Sequence, residues 1–355
     1  MAFLAIFLLA TPLMAALPAR STAIDLASKL SSPLAQGSSA TANSGGTHSA
    51  PQPPAEQQSP AAPASGSTSR GGSNTIRRDV NLVVLHAAVI DSEGDVVSGL
   101  AQSNFRVFEN KVEQKISLFR NDDVPVTVGI VVDNSGSMRL KRPGVNAAAL
   151  TFVKTSNPQD EVFIVNFNDE FYLDMDKDFS SDPKELQEAL DRIDSRGETA
   201  LYDAIIGSLD HLQKGTRDKK VLLVITDGED NTSRETLEYT VRAAQESNAV
   251  IYAIGLFSDD PRSEKRQGKK ALEEITKATG GEAYFPEGVE QVESLCTRIA
   301  HDIRNQYTIA YYPTNAARDG TFRTVKVDVS APRGTGHLTV RTKPGYFAPS
   351  DSATH

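Results

Sequence analysis

The sequence predicts an α/β fold, a doubly wound and mostly parallel sheet with helices on both faces, inserted into a small β domain. Three observations predict it. Four near-continuous apolar runs lie between Val126 and Ala300, amphipathic segments alternate with them, and short β-branched stretches divided by turn residues stand on both sides of that block. Runs that are apolar throughout suit strands buried on both faces, and strands alternating with helices build a parallel sheet covered on both sides.

Taken in order, Met1 to Leu17 is apolar and uncharged, yet too short and too interrupted by Thr11 and Pro12 for a membrane span. Residues 1–23 read as a signal peptide, with the small Ser21 and Ala23 suited to cleavage, although a cut after Ala19 also fits and no basic residue precedes the apolar run. Export is therefore expected, to a periplasmic, cell-surface or secreted destination, with no stable membrane span in the mature form. Residues 24–76, rich in Ser, Ala, Gly, Pro and Gln, read as a disordered linker. VNLVVLHAAVID, FRVFEN and KISLFRN then read as strands, as do YTIAYYP, FRTVKVDVS and LTVRTKPGYF near the C-terminus, with turns at Asp319-Gly320 and Arg333-Gly334. Neither block alone buries enough, so residues 77–124 and 301–348 are expected to pair into one small sheet or sandwich around an inserted domain at 125–300.

Within the insertion, TVGIVVD, EVFIVNF, KVLLVITDG and AVIYAIGLF are the predicted strands. VNAAALTFVK, PKELQEALDRI, LYDAIIGSLDHLQ, RETLEYTVRAAQES and KKALEEITKAT carry apolar residues at helical spacing, and VESLCTRIAHDIRNQ follows as the last helix.

Composition narrows function. The 355 residues carry a formal net charge of −9, which disfavours a nucleic-acid partner because phosphate neutralisation needs a basic surface. The single Cys296 permits neither an internal disulfide nor a thiolate zinc cluster, and its place on an apolar helical pattern marks a buried small side chain. No H-E-x-x-H, G-x-S-x-G or phosphate-cradling glycine loop is present, so a hydrolase or nucleotide enzyme lacks a site.

In doubly wound sheets ligands bind at the carboxyl ends of the strands. There the first strand ends in Asp133-Asn134-Ser135-Gly136-Ser137, and the third continues into Asp227-Gly228-Glu229-Asp230-Asn231. A further loop, Arg196 to Asp203, supplies Thr199. Two carboxylates and three hydroxyls make an oxygen-only shell for a hard cation, Mg²⁺ first, with Mn²⁺ or Ca²⁺ as substitutes; Zn²⁺ would call for His or Cys. Each of these residue types is also at home in turns and caps, and Thr199 alone reads as a helix N-cap.

Together, D-x-S-x-S at Asp133, Ser135 and Ser137, Thr199 in GETALYDA and Asp227 in TDGED resemble the metal-ion-dependent adhesion site of von Willebrand factor type A domains. The resemblance covers roughly Val126 to Ala300, and the FRVFEN and KPGYF flanks look like the bacterial secreted subfamily catalogued as acidobacterial VWFA-related proteins. It implies a non-enzymatic protein-binding or adhesion module in which Asp133, Ser135, Ser137, Thr199 and Asp227 hold Mg²⁺ and an Asp or Glu of an unknown protein partner completes the shell. Two alternatives stand beside it. One is a structural envelope or assembly component with a degenerate site. The other is a Mg²⁺-dependent phosphatase, against which Ser135 stands where a general acid is needed. The acidic run Asp174, Asp176, Asp178, Asp182, Glu185 has calcium-loop spacing, but Phe179 takes the glycine position and strands precede it, so it reads as an acidic surface loop.

Overall fold

The computed structural model describes residues 82–192, 194–257, 262–332 and 336–350; the expected signal peptide, the linker and the Arg333-Gly334 turn lie outside the described residues. The chain begins with β1 (Val83–Ile90), β2 (Phe105–Glu109), β3 (Val112–Gln114) and β4 (Ile116–Arg120). The insertion follows as β5 (Val126–Asp133), α1 (Arg142–Lys154), β6 (Glu161–Phe167), β7 (Phe171–Leu173), α2 (Pro183–Asp191), α3 (Leu201–Leu212) and β8 (Lys219–Thr226). It continues through α4 (Leu237–Glu246), β9 (Ala249–Gly255), α5 (Arg262–Thr279), β10 (Ala283–Tyr284) and α6 (Val292–Arg304). The chain then returns as β11 (Tyr307–Tyr311), β12 (Phe322–Val329), β13 (Thr339–Arg341) and β14 (Gly345–Phe347).

Local chemistry starts several helices. Pro183 opens α2, where the Asp182 carboxylate accepts from the Lys184 amide at 2.9 Å, and the Thr236 hydroxyl accepts from the Tyr239 amide to open α4. The central sheet runs β10-β9-β8-β5-β6-β7, parallel throughout except for the edge strand β7. All eight residues of β5 are buried. Val128, Ile130 and Val132 face a core shared with α1, α2 and α6, while Val131, Leu222 and Val224 face one shared with α3, α4 and α5. The sheet is thus covered on both sides. From β5 the chain steps to β6 on one side and later resumes at β8 on the other, so the carboxyl ends of β5 and β8 flank the point where strand order reverses.

The strands outside the insertion form two antiparallel four-stranded sheets, β13-β1-β11-β4 and β14-β12-β2-β3, each mixing strands from before and after it. Val83, Leu85, Ala87 and Val89 of β1 share a core with Phe105, Val107, Tyr307, Ile309, Val325 and Val327. The period-2 alternation of β1 and β12 decides which residues face it. Buried Glu109 is satisfied there by the hydroxyls of Tyr311 (2.9 Å) and Tyr346 (2.8 Å) and by Arg323. No helix among the described residues is long and apolar enough to cross a membrane.

Candidate functional site

Asp133 is the last residue of β5 and is fully buried. Its Oδ1 accepts from the Ser135 amide at 2.7 Å and its Oδ2 from the Thr226 hydroxyl at 2.6 Å. Burial pushes the Asp133 carboxyl up to about 6 and the nearby Asp227 adds to the rise, while the hydrogen bonds from Thr226 and Ser135 oppose it. Asp227 follows β8 and is 1% exposed. Ser137 Oγ donates to Asp227 Oδ1 at 2.7 Å, and Ser135 Oγ lies 3.0 Å from Ser137 Oγ. Since the Ser137 proton points to Asp227, Ser135 donates in that second contact, and Ser135 thus bridges the two carboxylates, bonded to Asp133 through its amide and to Ser137 through its hydroxyl.

Thr199 comes from the loop before α3. Gly136 N donates to Gly197 O at 3.1 Å and Ala200 N to Asn168 O at 2.7 Å, so this loop is tied both to the serine turn and to the end of β6. Gly197 has φ +75°, and a Cβ there would stand 2.3 Å from Asp169 Oδ2, the carboxylate that accepts from the Glu198 amide through Oδ1; only glycine fits. The Thr199 hydroxyl lies beside Gly228, and Asn231 Oδ1 accepts from the Thr199 amide at 2.9 Å. The N-cap of α3 is Ala200, so Thr199 does not cap that helix, contrary to the role its type alone suggests. The structure therefore brings Asp133, Ser135, Ser137, Thr199 and Asp227 together from three loops at the switch point.

Other residues at this site escaped the sequence reading. Lys141 Nζ donates to Asp227 Oδ2 at 2.6 Å and to Leu256 O at 3.3 Å. Arg142 is buried, donates to Asn166 Oδ1 and Leu190 O, and burial draws its guanidinium down to about 10 against the upward pull of Asp133. Both polar side-chain atoms of Asn134 are buried without a hydrogen-bond partner among the described residues. The one available signal was the Lys141-Arg142 pair, a block of positive charge directly after the serine turn.

The remaining acidic residues have other work. Asp230 accepts from the Tyr202 amide and the Ser233 hydroxyl, which fixes the turn opposite the start of α3. In the acidic run, Asp174 accepts from Asn166, Asp176 pairs with Arg192, Asp178 with Lys214 and Glu185 with Lys177, while Asp182 caps α2. Their carboxylates do not converge. Cys296 is buried, and burial pushes its thiol up to about 12.

Residues 127–298 match the family model described as von Willebrand factor type A domain. No curated protein matches. Among solved structures, a von Willebrand factor type A protein from Catenulispora acidiphila is 13% identical, with 78% of this chain and 76% of that one covered and a TM-score of 0.45. The PilB minor pilin of Streptococcus sanguinis is 14% identical at TM-score 0.43, with 52% of this chain covered; the match spans 63% of the pilin's length. The vWF domain of the type V pili tip protein Mfa5 from Porphyromonas gingivalis is 12% identical at TM-score 0.42, covering 51% of this chain and 95% of that one.

Proposed function

Residues 127–298 are a von Willebrand factor type A domain, and from that premise we propose that the chain is an exported, non-enzymatic protein-binding module that takes an acidic group of a partner through Mg²⁺. The observation that carries this is the oxygen-only cluster at the switch point, in which Ser135 and Ser137 link the buried carboxylates Asp133 and Asp227. Short hydroxyl and carboxylate donors suit a hard divalent ion. The donor set fits Mg²⁺ in kind. Asp133, Ser135, Ser137, Thr199 and Asp227 would hold the ion, which when bound supplies a Lewis-acid centre able to take a carboxylate oxygen from outside.

The chain's own residues do the rest. Ser135 and Ser137 orient their lone pairs through the directed hydrogen-bond chain, and the tie between Gly136 and Gly197 keeps the Thr199 loop in register with the serine turn. Export is supported by the apolar residues 1–17 and the spacer-like composition of 24–76. Calorimetric titration of Mg²⁺ and Mn²⁺ into the full chain tests the proposal. Wild type should release or absorb heat saturably, and Asp133→Ala should abolish it while keeping its circular dichroism spectrum. Equal binding by both chains would sink the assignment. The structural-component alternative draws on the ammonium that Lys141 already places on Asp227.

A further inference from the structure

Lys141 lies one turn beyond Ser137, in the residue before α1, and its ammonium reaches back to the carboxyl end of β8. Its side chain is 16% exposed and that of Asp227 is 0% exposed, so the 2.6 Å pair is shielded from water and from screening ions. The same ammonium also contacts Leu256 O just past β9, which holds it over the ends of neighbouring parallel strands. Asp227 is thereby used twice, Oδ1 by the Ser137 hydroxyl and Oδ2 by Lys141. A cation held by the serine hydroxyls draws on the same carboxylate. Two positive centres close to one buried carboxylate repel each other strongly, since Coulomb energies rise several-fold as the effective dielectric falls from that of water.

We propose that Lys141 is an internal counter-ion that competes with the divalent cation for Asp227 and so sets how tightly the site holds it. This rests on the metal-dependent reading above. Lys141 lowers the affinity of the isolated chain, and an incoming partner carboxylate restores the charge balance that a divalent ion and an ammonium together upset. Cation and partner then bind as a coupled pair, each strengthening the other.

The test is Mg²⁺ titration into the full chain by calorimetry, comparing wild type with Lys141→Met, Lys141→Gln and Lys141→Arg, each first checked for folding by its melting curve. Removing the charge should tighten Mg²⁺ binding by about tenfold or more, whereas Lys141→Arg should stay within about threefold of wild type. A second readout is thermal: in chelator Lys141→Met should melt below wild type, because Asp227 has lost its counter-ion, and saturating Mg²⁺ should close that gap. Wild type that shows no heat beside a Met or Gln variant that binds would be the extreme form of the expected result. Equal or weaker Mg²⁺ affinity in the Met and Gln variants would overturn the counter-ion role while leaving the metal site in place. No heat in any of the four chains would overturn both.

Discussion

At the scale of single residues, burial decides charge, and His86 shows the consequence most directly. It lies on β1 with Thr308 Oγ1 at 3.4 Å from its Nδ1, and burial, reinforced by Lys219 and Lys343, pulls its imidazole down to about 3. The unfolded chain takes up a proton near pH 6.5 and the folded chain does not, so stability is full above that pH and is lost as pH falls below it. Between pH 7.5 and 5 the loss from this one group is about 2 kcal/mol. In His86→Gln the fall in urea-unfolding free energy over that interval should be smaller by that amount; equal falls would refute it. The site residues behave differently as sequence. Asp133, Ser135 and Ser137 are neighbours in one turn at the end of β5 and Asp227 follows β8, so strand periodicity put these four at strand ends, whereas Thr199, in the loop before α3, joined them only through the family resemblance. Lys141 was not, because its contact with Asp227 spans 86 positions and no local pattern encodes which carboxylate a flexible ammonium finds. Asn134 and Arg142 were hidden for the same reason: a turn-forming type and a charged type gave no hint that both would be buried.

At the scale of elements, the strands most legible in the sequence are those buried on both faces, since β5, β6, β8 and β9 are apolar along nearly their whole length. β10, two residues long, carries no periodicity, and α5 begins at Arg262 in a polar stretch whose first turns give no apolar stripe. Inside β5 one residue departs from the apolar pattern for a steric reason. A Cβ on Gly129 would stand 2.4 Å from Phe163 Cζ on β6 and 2.5 Å from Leu222 Cδ2 on β8, so both neighbouring strands use the space that glycine leaves. Gly129→Ala should therefore destabilise the protein by about 1–3 kcal/mol through overpacking, despite alanine's better strand entropy. Chemical denaturation measures this, and Phe163→Leu in the same chain should recover part of the loss. A neutral Gly129→Ala would mean the two side chains turn aside without cost.

At the scale of the whole chain from β1 to β14, the sandwich and the inserted domain are joined by more than their two covalent crossings. Arg341 on β13 pairs with Glu282 and with Asp302 of α6, and its guanidinium lies 5.8 Å from the Tyr252 ring of β9. Arg304 at the end of α6 pairs with Asp123 and Asp160, Lys219 donates to Ile303 O, and Gln306 donates to the Tyr252 hydroxyl at 2.9 Å. α6 is thus gripped from the sandwich, from the linker before β5 and from the central sheet, and it runs within two residues into β11, which pairs with both β1 and β4. Unfolding either part removes the partner of a buried charge in the other. Asp302 is 3% exposed, and Arg341 opposes the upward push that burial gives its carboxyl. Arg341→Met would take from that carboxylate its direct ion-pair partner, leaving the more distant Arg298 and the Tyr284 hydroxyl, at a cost on the order of 3 kcal/mol. For a folded body of this size such a loss corresponds to a drop in Tm of roughly 5–10 °C. If the coupling is as tight as these contacts require, wild type melts in a single calorimetric transition and Arg341→Met shifts that whole transition downward. Two transitions in wild type, only one of them moved by Arg341→Met, would show that the sandwich and the inserted domain fold as independent units.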